Sequence, residues 1–223
     1  MTMPDILEVD SVTKRYSERI ILSDIYLKCT TGDIVGLFGR NGTGKSTLLK
    51  IIFGIEEADN KFVKINGQKL SSQSRGFREI SYLSQDTFLP NNITVLEVIK
   101  LTLNQKNVDS FSSDAILKPF LSNKINSLSG GELRYLEIKL LLSLPSKFVL
   151  LDEPFNGISP LLIESVIGLI KSSSKSKGII ITNHDFHSVL NVMNRSYLLY
   201  DGSLKEINSR EDLVNWGYLN AYT

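Results

Sequence analysis

The chain has one cysteine, two histidines, one tryptophan and six prolines in 223 residues. A lone Cys29 excludes an internal disulfide and agrees with a reducing compartment. It sits in an apolar-alternating run and reads as a small core residue. His184 and His187 stand three apart, but no cysteine or nearby ligand completes a zinc set around them. Lys plus Arg (25) nearly cancels Asp plus Glu (24), a net charge of +1, so bulk electrostatics ask for no nucleic acid. No apolar run approaches the roughly 18 residues of a spanning helix. Met1-Thr2-Met3-Pro4-Asp5 lacks the basic start and apolar core of a secretion signal. The expectation is a cytoplasmic protein, or one held at a membrane by a partner. Repeats and low-complexity tracts are also missing. What remains is an ordinary globular composition, 42% hydrophobic and 22% charged.

Against that background one stretch stands out: Gly39-Arg40-Asn41-Gly42-Thr43-Gly44-Lys45-Ser46-Thr47 fits the phosphate-loop pattern G-x-x-x-x-G-K-[ST]. Apolar Ile34–Phe38 before it reads as a buried strand, and Leu48–Phe53 after it as a core helix. Glycines let consecutive N–H groups turn inward onto phosphate oxygens, and the helix start adds partial positive charge. Lys45 is expected at the β- and γ-phosphates and the Ser46 hydroxyl on Mg²⁺. The loop predicts a bound nucleoside triphosphate.

Ile6–Val9, Ile25–Cys29 and Lys61–Ile65 read as short strands of an antiparallel sheet. Tyr16, after Lys14-Arg15, is either a ring for stacking on a base or a surface tyrosine lying on that sheet. Ile80–Ser84 predicts a strand ending at Gln85. Residues 86–126 turn polar, with helical spacing at Val95, Val98, Ile99 and Leu101 and again at Ile116, Leu117, Phe120 and Leu121. A small insert of two or three short helices follows from this. It ends at Leu128-Ser129-Gly130-Gly131-Glu132, where Ser129 can cap a helix beginning near Leu133 and two glycines leave N–H groups bare, a second anion site.

Phe148–Leu151 runs into Asp152-Glu153, the pattern of a central strand opening at its C-terminal end. Pro154 stops it, Leu161–Ile170 is helical, Gly178–Thr182 is a strand leading to Asn183-His184, and Ser196–Tyr200 is a last strand. Open parallel sheets bind ligands beyond the carboxyl ends of their strands, so the loop, the carboxylate pair and His184 should converge. There Asp152 is placed to hold Mg²⁺ with Ser46, Glu153 to activate a water, and His184 to bond the γ-phosphate. His187 reads as a surface residue.

In this order the motifs resemble those of the ATP-binding subunit of an ATP-binding-cassette (ABC) transporter: an aromatic loop at Tyr16, Walker A at Gly39–Thr47, a Q-loop at Gln85, the LSGGE signature at Leu128–Glu132, Walker B at Phe148–Asp152 with Glu153 next, and a switch histidine at His184. The resemblance implies one α/β ABC domain over residues 1–223. Its P-loop core and antiparallel β subdomain would span 1–85 and 133–223, with a helical subdomain over 86–132. It implies stacking of adenine on Tyr16 and a head-to-tail dimer, more readily a homodimer, around two ATP. Walker A of one chain would meet Ser129, Gly130, Gly131 and Glu132 of the other. Lys45, Gln85, Glu153 and His184 would serve hydrolysis, and Ser46, Gln85 and Asp152 would hold Mg²⁺. Separate membrane-spanning permease subunits are the implied partners, with the chain on the cytoplasmic face. A soluble non-transport ATPase of the same superfamily and a slowly hydrolysing regulatory switch are the alternatives. Ser159 stands where aspartate is usual and Tyr135 where arginine is common. Asp152–Phe155 with Gly157 and Pro160 resembles both lipopolysaccharide-export and branched-chain amino-acid ATPases.

Overall fold

The structure, a computed structural model, describes residues 3–70, 76–183 and 192–219. Its first layer is the antiparallel sheet. Strands β1 (Ile6–Tyr16) and β2 (Arg19–Thr30) form a hairpin, and β4 (Asn60–Ile65) and β5 (Gln68–Lys69) extend it in the order β2-β1-β4-β5. Asn66-Gly67 joins β4 to β5 with both residues at positive φ (51° and 75°), the geometry that suits the right-handed strand twist. β1 and β2 are longer than expected, 11 and 12 residues. Register shifts between Val9 and Arg15, with Ser11 at φ 53°, break the in–out alternation that marks a strand in sequence.

The second sheet has the order β10-β9-β3-β8-β7-β6, with β10 at Ser203–Ile207 on its edge. β3 (Ile34–Phe38), β6 (Ile80–Leu83), β7 (Phe148–Asp152), β8 (Gly178–Thr182) and β9 (Arg195–Tyr200) run parallel. Every residue of β3, β7 and β8 is buried, as apolar runs in a sheet covered on both faces must be. Strand periodicity feeds two cores. Val35, Leu37, Phe148, Leu150 and Ile180 pack with the antiparallel sheet and α1 (Lys45–Phe53). Ile34, Val149, Leu151, Ile179 and Ile181 pack with the helices of the other side. Cys29 is fully buried in the first core and its thiol pKa is pushed up by that burial. A side chain at Gly178 would meet the Phe148 ring at 2.7 Å and Cys29 Sγ at 2.8 Å.

Three expectations need correction. Ser196–Tyr200 is not the last strand. Asp201-Gly202, both at positive φ, turns the chain into β10 (Ser203–Ile207), followed by α7 (Arg210–Asn215). β10 is a largely solvated edge with polar alternation, so no apolar run announced it. After the single turn α2 (Gly76–Glu79) ahead of β6, α3 (Val95–Thr102) opens the insert with a Thr94/Glu97 capping box, but α4 occupies Gln105–Ser112 rather than the second apolar cluster. Around that cluster only a 3-10 turn, Lys118–Phe120, appears, because the Asp114 carboxylate accepts the N–H groups of Ile116 (2.9 Å) and Leu117 (3.0 Å) and Pro119 follows. Finally, α5 begins at Gly130 and runs to Ser143. Ser129 and Glu132 form a capping box that starts the helix through the glycines.

Asp114 also fastens the insert to α5: it accepts the Tyr135 hydroxyl at 2.9 Å and pairs with Lys139. Burial raises its pKa, but Lys139, the Leu117 amide and Tyr135 outweigh that and hold it below the usual carboxylate value. Its stabilisation is therefore present above the unfolded-state pKa and lost as pH falls through the folded one. Asp114→Ala is expected to cost about 2 kcal/mol at pH 7, one charged hydrogen-bond centre. In urea unfolding, that difference should shrink below about pH 4.

Candidate functional site

The four parallel strands β6, β7, β8 and β3 deliver their C-terminal ends to one edge of the sheet. Asp152 closes β7 and is 1% exposed. Its register partner on β8 is Thr182, whose hydroxyl donates to Asp152 Oδ1 at 2.6 Å. Ser46, in the first turn of α1, donates to the same oxygen at 3.1 Å. Tyr82 on β6 donates to Oδ2, also at 3.1 Å. Burial and the neighbouring Asp152 push the Tyr82 pKa up, which keeps the phenol a donor. Gln85, two residues past β6, reaches Ser46 Oγ with its amide nitrogen at 3.2 Å. Ser46, Gln85 and Asp152 thus meet at one point. The Ser46 hydroxyl and the Asp152 carboxylate are the hard oxygen donors Mg²⁺ takes, and the Gln85 side-chain amide lies beside them, so the residues fit that ion.

Beside them lies a cleft of about 470 Å³ lined by Tyr16, Asn41, Gly42, Gly44, Lys45, Ser46, Thr47, Gln85 and Glu153 among others. Gly44 caps α1 at φ 106°, and a side chain there would come within 2.7 Å of Ile21 Cγ2. Gly39, at φ 152°, would clash with Thr43 Oγ1 and the Leu199 carbonyl. Both positions require glycine. Lys45 is 5% exposed, and its ammonium donates to the loop's own carbonyls, Gly39 at 2.6 Å and Arg40 at 3.2 Å. Burial lowers its pKa, and Glu153 and Asp152 partly restore it. Tyr16 is half exposed at the rim. Its hydroxyl donates to Glu56 at 3.0 Å, and the Lys14 ammonium lies 4.7 Å from its ring centroid. Two loop residues turn elsewhere. The Arg40 guanidinium donates to the Gly217 carbonyl (3.1 Å), and with Thr43 it lines a neighbouring cavity of about 250 Å³.

Glu153 has φ 48°, a left-handed conformation that costs a non-glycine residue about 1–3 kcal/mol. Its amide donates to Thr182 Oγ1 at 3.0 Å. His184 and His187 lie outside the described residues. The signature residues Ser129, Gly130, Gly131 and Glu132 do not line this cleft. Gly130 faces open space, whereas Gly131 packs toward Leu162 and the Gly157 carbonyl.

A profile of the ABC transporter family matches residues 22–156, more than half of the chain. The chain belongs to that family. Among curated relatives, the lipopolysaccharide export system ATP-binding protein LptB of Acidithiobacillus ferridurans is 30% identical over 96% of this chain and 94% of its own length. LptB of Haemophilus influenzae is 32% identical over 94% and 93%. A solved ATP-binding subunit of an ABC transporter superposes with a TM-score of 0.83 over 97% of this chain and 95% of its own, at 24% identity, a likeness in fold. This ABC chain is therefore the ATP-binding subunit of a transporter, and an ATPase.

Sequence reasoning missed four members of this ABC site. Thr182 and Tyr82 hold Asp152, and their signals were a hydroxyl closing an all-aliphatic strand and a phenol in an apolar one. Arg134 and Glu137, 7% and 1% exposed, lie on α5 beside it. Their signal was an i, i+3 opposite-charge pair among apolar helix residues. Of the departures, Tyr135 is explained by its bond to Asp114. Ser159 is the N-cap of α6 (Pro160–Ser174), its carbonyl accepting from Leu162 and Ile163, without a side-chain cap bond. Lys45→Met is expected to weaken ATP binding about 10- to 100-fold in calorimetry, the loss of one charged hydrogen-bonding group. Circular dichroism should be unchanged.

Proposed function

We propose that two copies of this chain close head to tail around two MgATP and that closure drives separate membrane-spanning subunits. The observation that carries this reading is a division within one chain. Lys45, Ser46, Gln85 and Glu153 line the cleft, while the open N-terminal end of α5 at Ser129-Gly130 lies outside it. One protomer then offers half of each of two sites, and a second copy supplies Ser129, Gly130, Gly131 and Glu132 to the γ-phosphate. Helix N-termini suit that anion. Residues 86–132 act as the helical subdomain that presents this end, between core segments 1–85 and 133–223.

Within the closed site Tyr16 stacks on adenine, the backbone of Gly39–Thr47 wraps the phosphates, and Lys45 exchanges its carbonyl partners for phosphate oxygens. Ser46, Asp152 and Gln85 would hold Mg²⁺, whose charge would offset that of the phosphates. Glu153 accepts the proton of the attacking water, a step worth about 10²- to 10⁴-fold in rate. Gln85 and His184 contact the γ-phosphate and the water. Among the described residues no helix is long and apolar enough to cross a membrane. In this reading the chain sits peripherally on the cytoplasmic face through a permease. The named role of the LptB relatives in lipopolysaccharide export supports an envelope transporter as the destination.

Glu153→Gln should abolish turnover while leaving ATP bound, and gel filtration in MgATP should show a stable species of twice the protomer mass. An ATP-loaded variant that stays monomeric overturns head-to-tail closure. Tagged wild-type chain recovered from detergent-solubilised membranes should bring down an integral membrane subunit, and recovery of ribosomes alone instead would remove the permease partner.

A further inference from the structure

The Arg134 guanidinium sits almost wholly buried where three backbone segments meet. One terminal nitrogen donates to the Ser84 carbonyl at 2.6 Å and lies 3.5 Å from the Glu137 carboxylate. The other donates to the carbonyls of Asp152 at 2.7 Å and Glu153 at 3.3 Å. Glu137 in turn accepts the Thr87 hydroxyl at 2.6 Å and the Phe88 amide at 3.1 Å. The residues flanking Gln85 on both sides are therefore fastened to one helix, α5. The same arginine holds the carbonyl side of the left-handed Glu153, whose amide is held by Thr182.

Covering an isolated guanidinium this deeply is costly unless its donors are met, and here backbone carbonyls meet most of them. A planar fork with fixed donor directions orders several acceptors at once, which an ammonium does not. We propose that Arg134 is a positioning residue for ATP hydrolysis: with Glu137 it holds the Glu153 backbone in its left-handed turn and locks that turn to the Gln85 segment. Because Ser129 caps α5, a shift of the helix that presents Ser129 to a neighbouring ATP also moves the clamp on the general base of its own cleft. The proposal rests on Glu153 and Gln85 acting as described under Proposed function.

The test compares Arg134→Met, Arg134→Lys and Glu137→Gln with wild type in steady-state ATPase assays and amide hydrogen exchange. Arg134→Met should lower kcat by about 10²-fold, the effect of misplacing a catalytic group by an ångström, with KM for MgATP within about threefold. Exchange should speed up in residues 84–88 and at Glu153 while β3 and α1 keep their protection. Arg134→Lys should recover only part of kcat, and Glu137→Gln should fall between wild type and Arg134→Met. Unchanged exchange in both segments overturns the clamp whatever the activity. Faster exchange with unchanged kcat, or a loss confined to the melting temperature, overturns its part in hydrolysis. Glu153→Gln run alongside separates the two readings: if it hydrolyses like wild type, the general-base assignment fails, while amide exchange still decides on the clamp.

Discussion

A buried carboxylate organises this molecule. Asp152 is almost without solvent, and three hydroxyls, from Ser46, Thr182 and Tyr82, replace the water it lost. An acceptor buried so deeply is tolerated only when its lone pairs are filled, so the ends of β6, β7 and β8 and the start of α1 must stay in register around it. The phosphate loop depends on that register because it runs straight into α1. So does Gln85, which reaches the cluster through Ser46.

The second constraint is the doubly anchored helix α5. At its N-terminus the Ser129/Glu132 box spends the serine hydroxyl and the glutamate on starting the helix, and the open face at Gly130 lies outside its own cleft. One turn later Arg134 and Glu137 hold the backbones of the Gln85 segment and the Asp152-Glu153 strand end. Tyr135 and Lys139 meet Asp114 and fasten the insert. Of the two residues that depart from the family pattern, Tyr135 thus has a local partner that accounts for it. Glu153 gains its direction from backbone contacts on both sides, and these hold a conformation its side chain alone disfavours.

Much of this was legible in the chain. The phosphate loop, the apolar run into Asp152-Glu153 and the strand before Asn183 carry local signals: glycines where φ must be positive, and consecutive apolar residues where both sheet faces are covered. Those signals also order the parallel sheet and predict that its strand ends converge. The edge strand β10 was not legible, because a half-solvated strand has no apolar run. α4 was not read because only Val108 and Phe111 of its eight residues are buried apolar positions, although Asn104 caps it locally. The 3-10 turn at Lys118–Phe120 was not legible because it depends on Asp114 accepting the Ile116 and Leu117 amides.

The sequence by itself determined that this chain binds ATP and which loop and carboxylates the strand ends bring together, since strand, glycine and helix-cap preferences act over a few residues. Only the tertiary structure decided what holds those groups. Thr182 is 30 residues from Asp152, Tyr82 is 70, and Arg134 is 50 from Ser84. Hydrogen bonds over such separations exist only after the sheet has assembled, and a lone hydroxyl or arginine in sequence does not show which acceptor burial will force upon it.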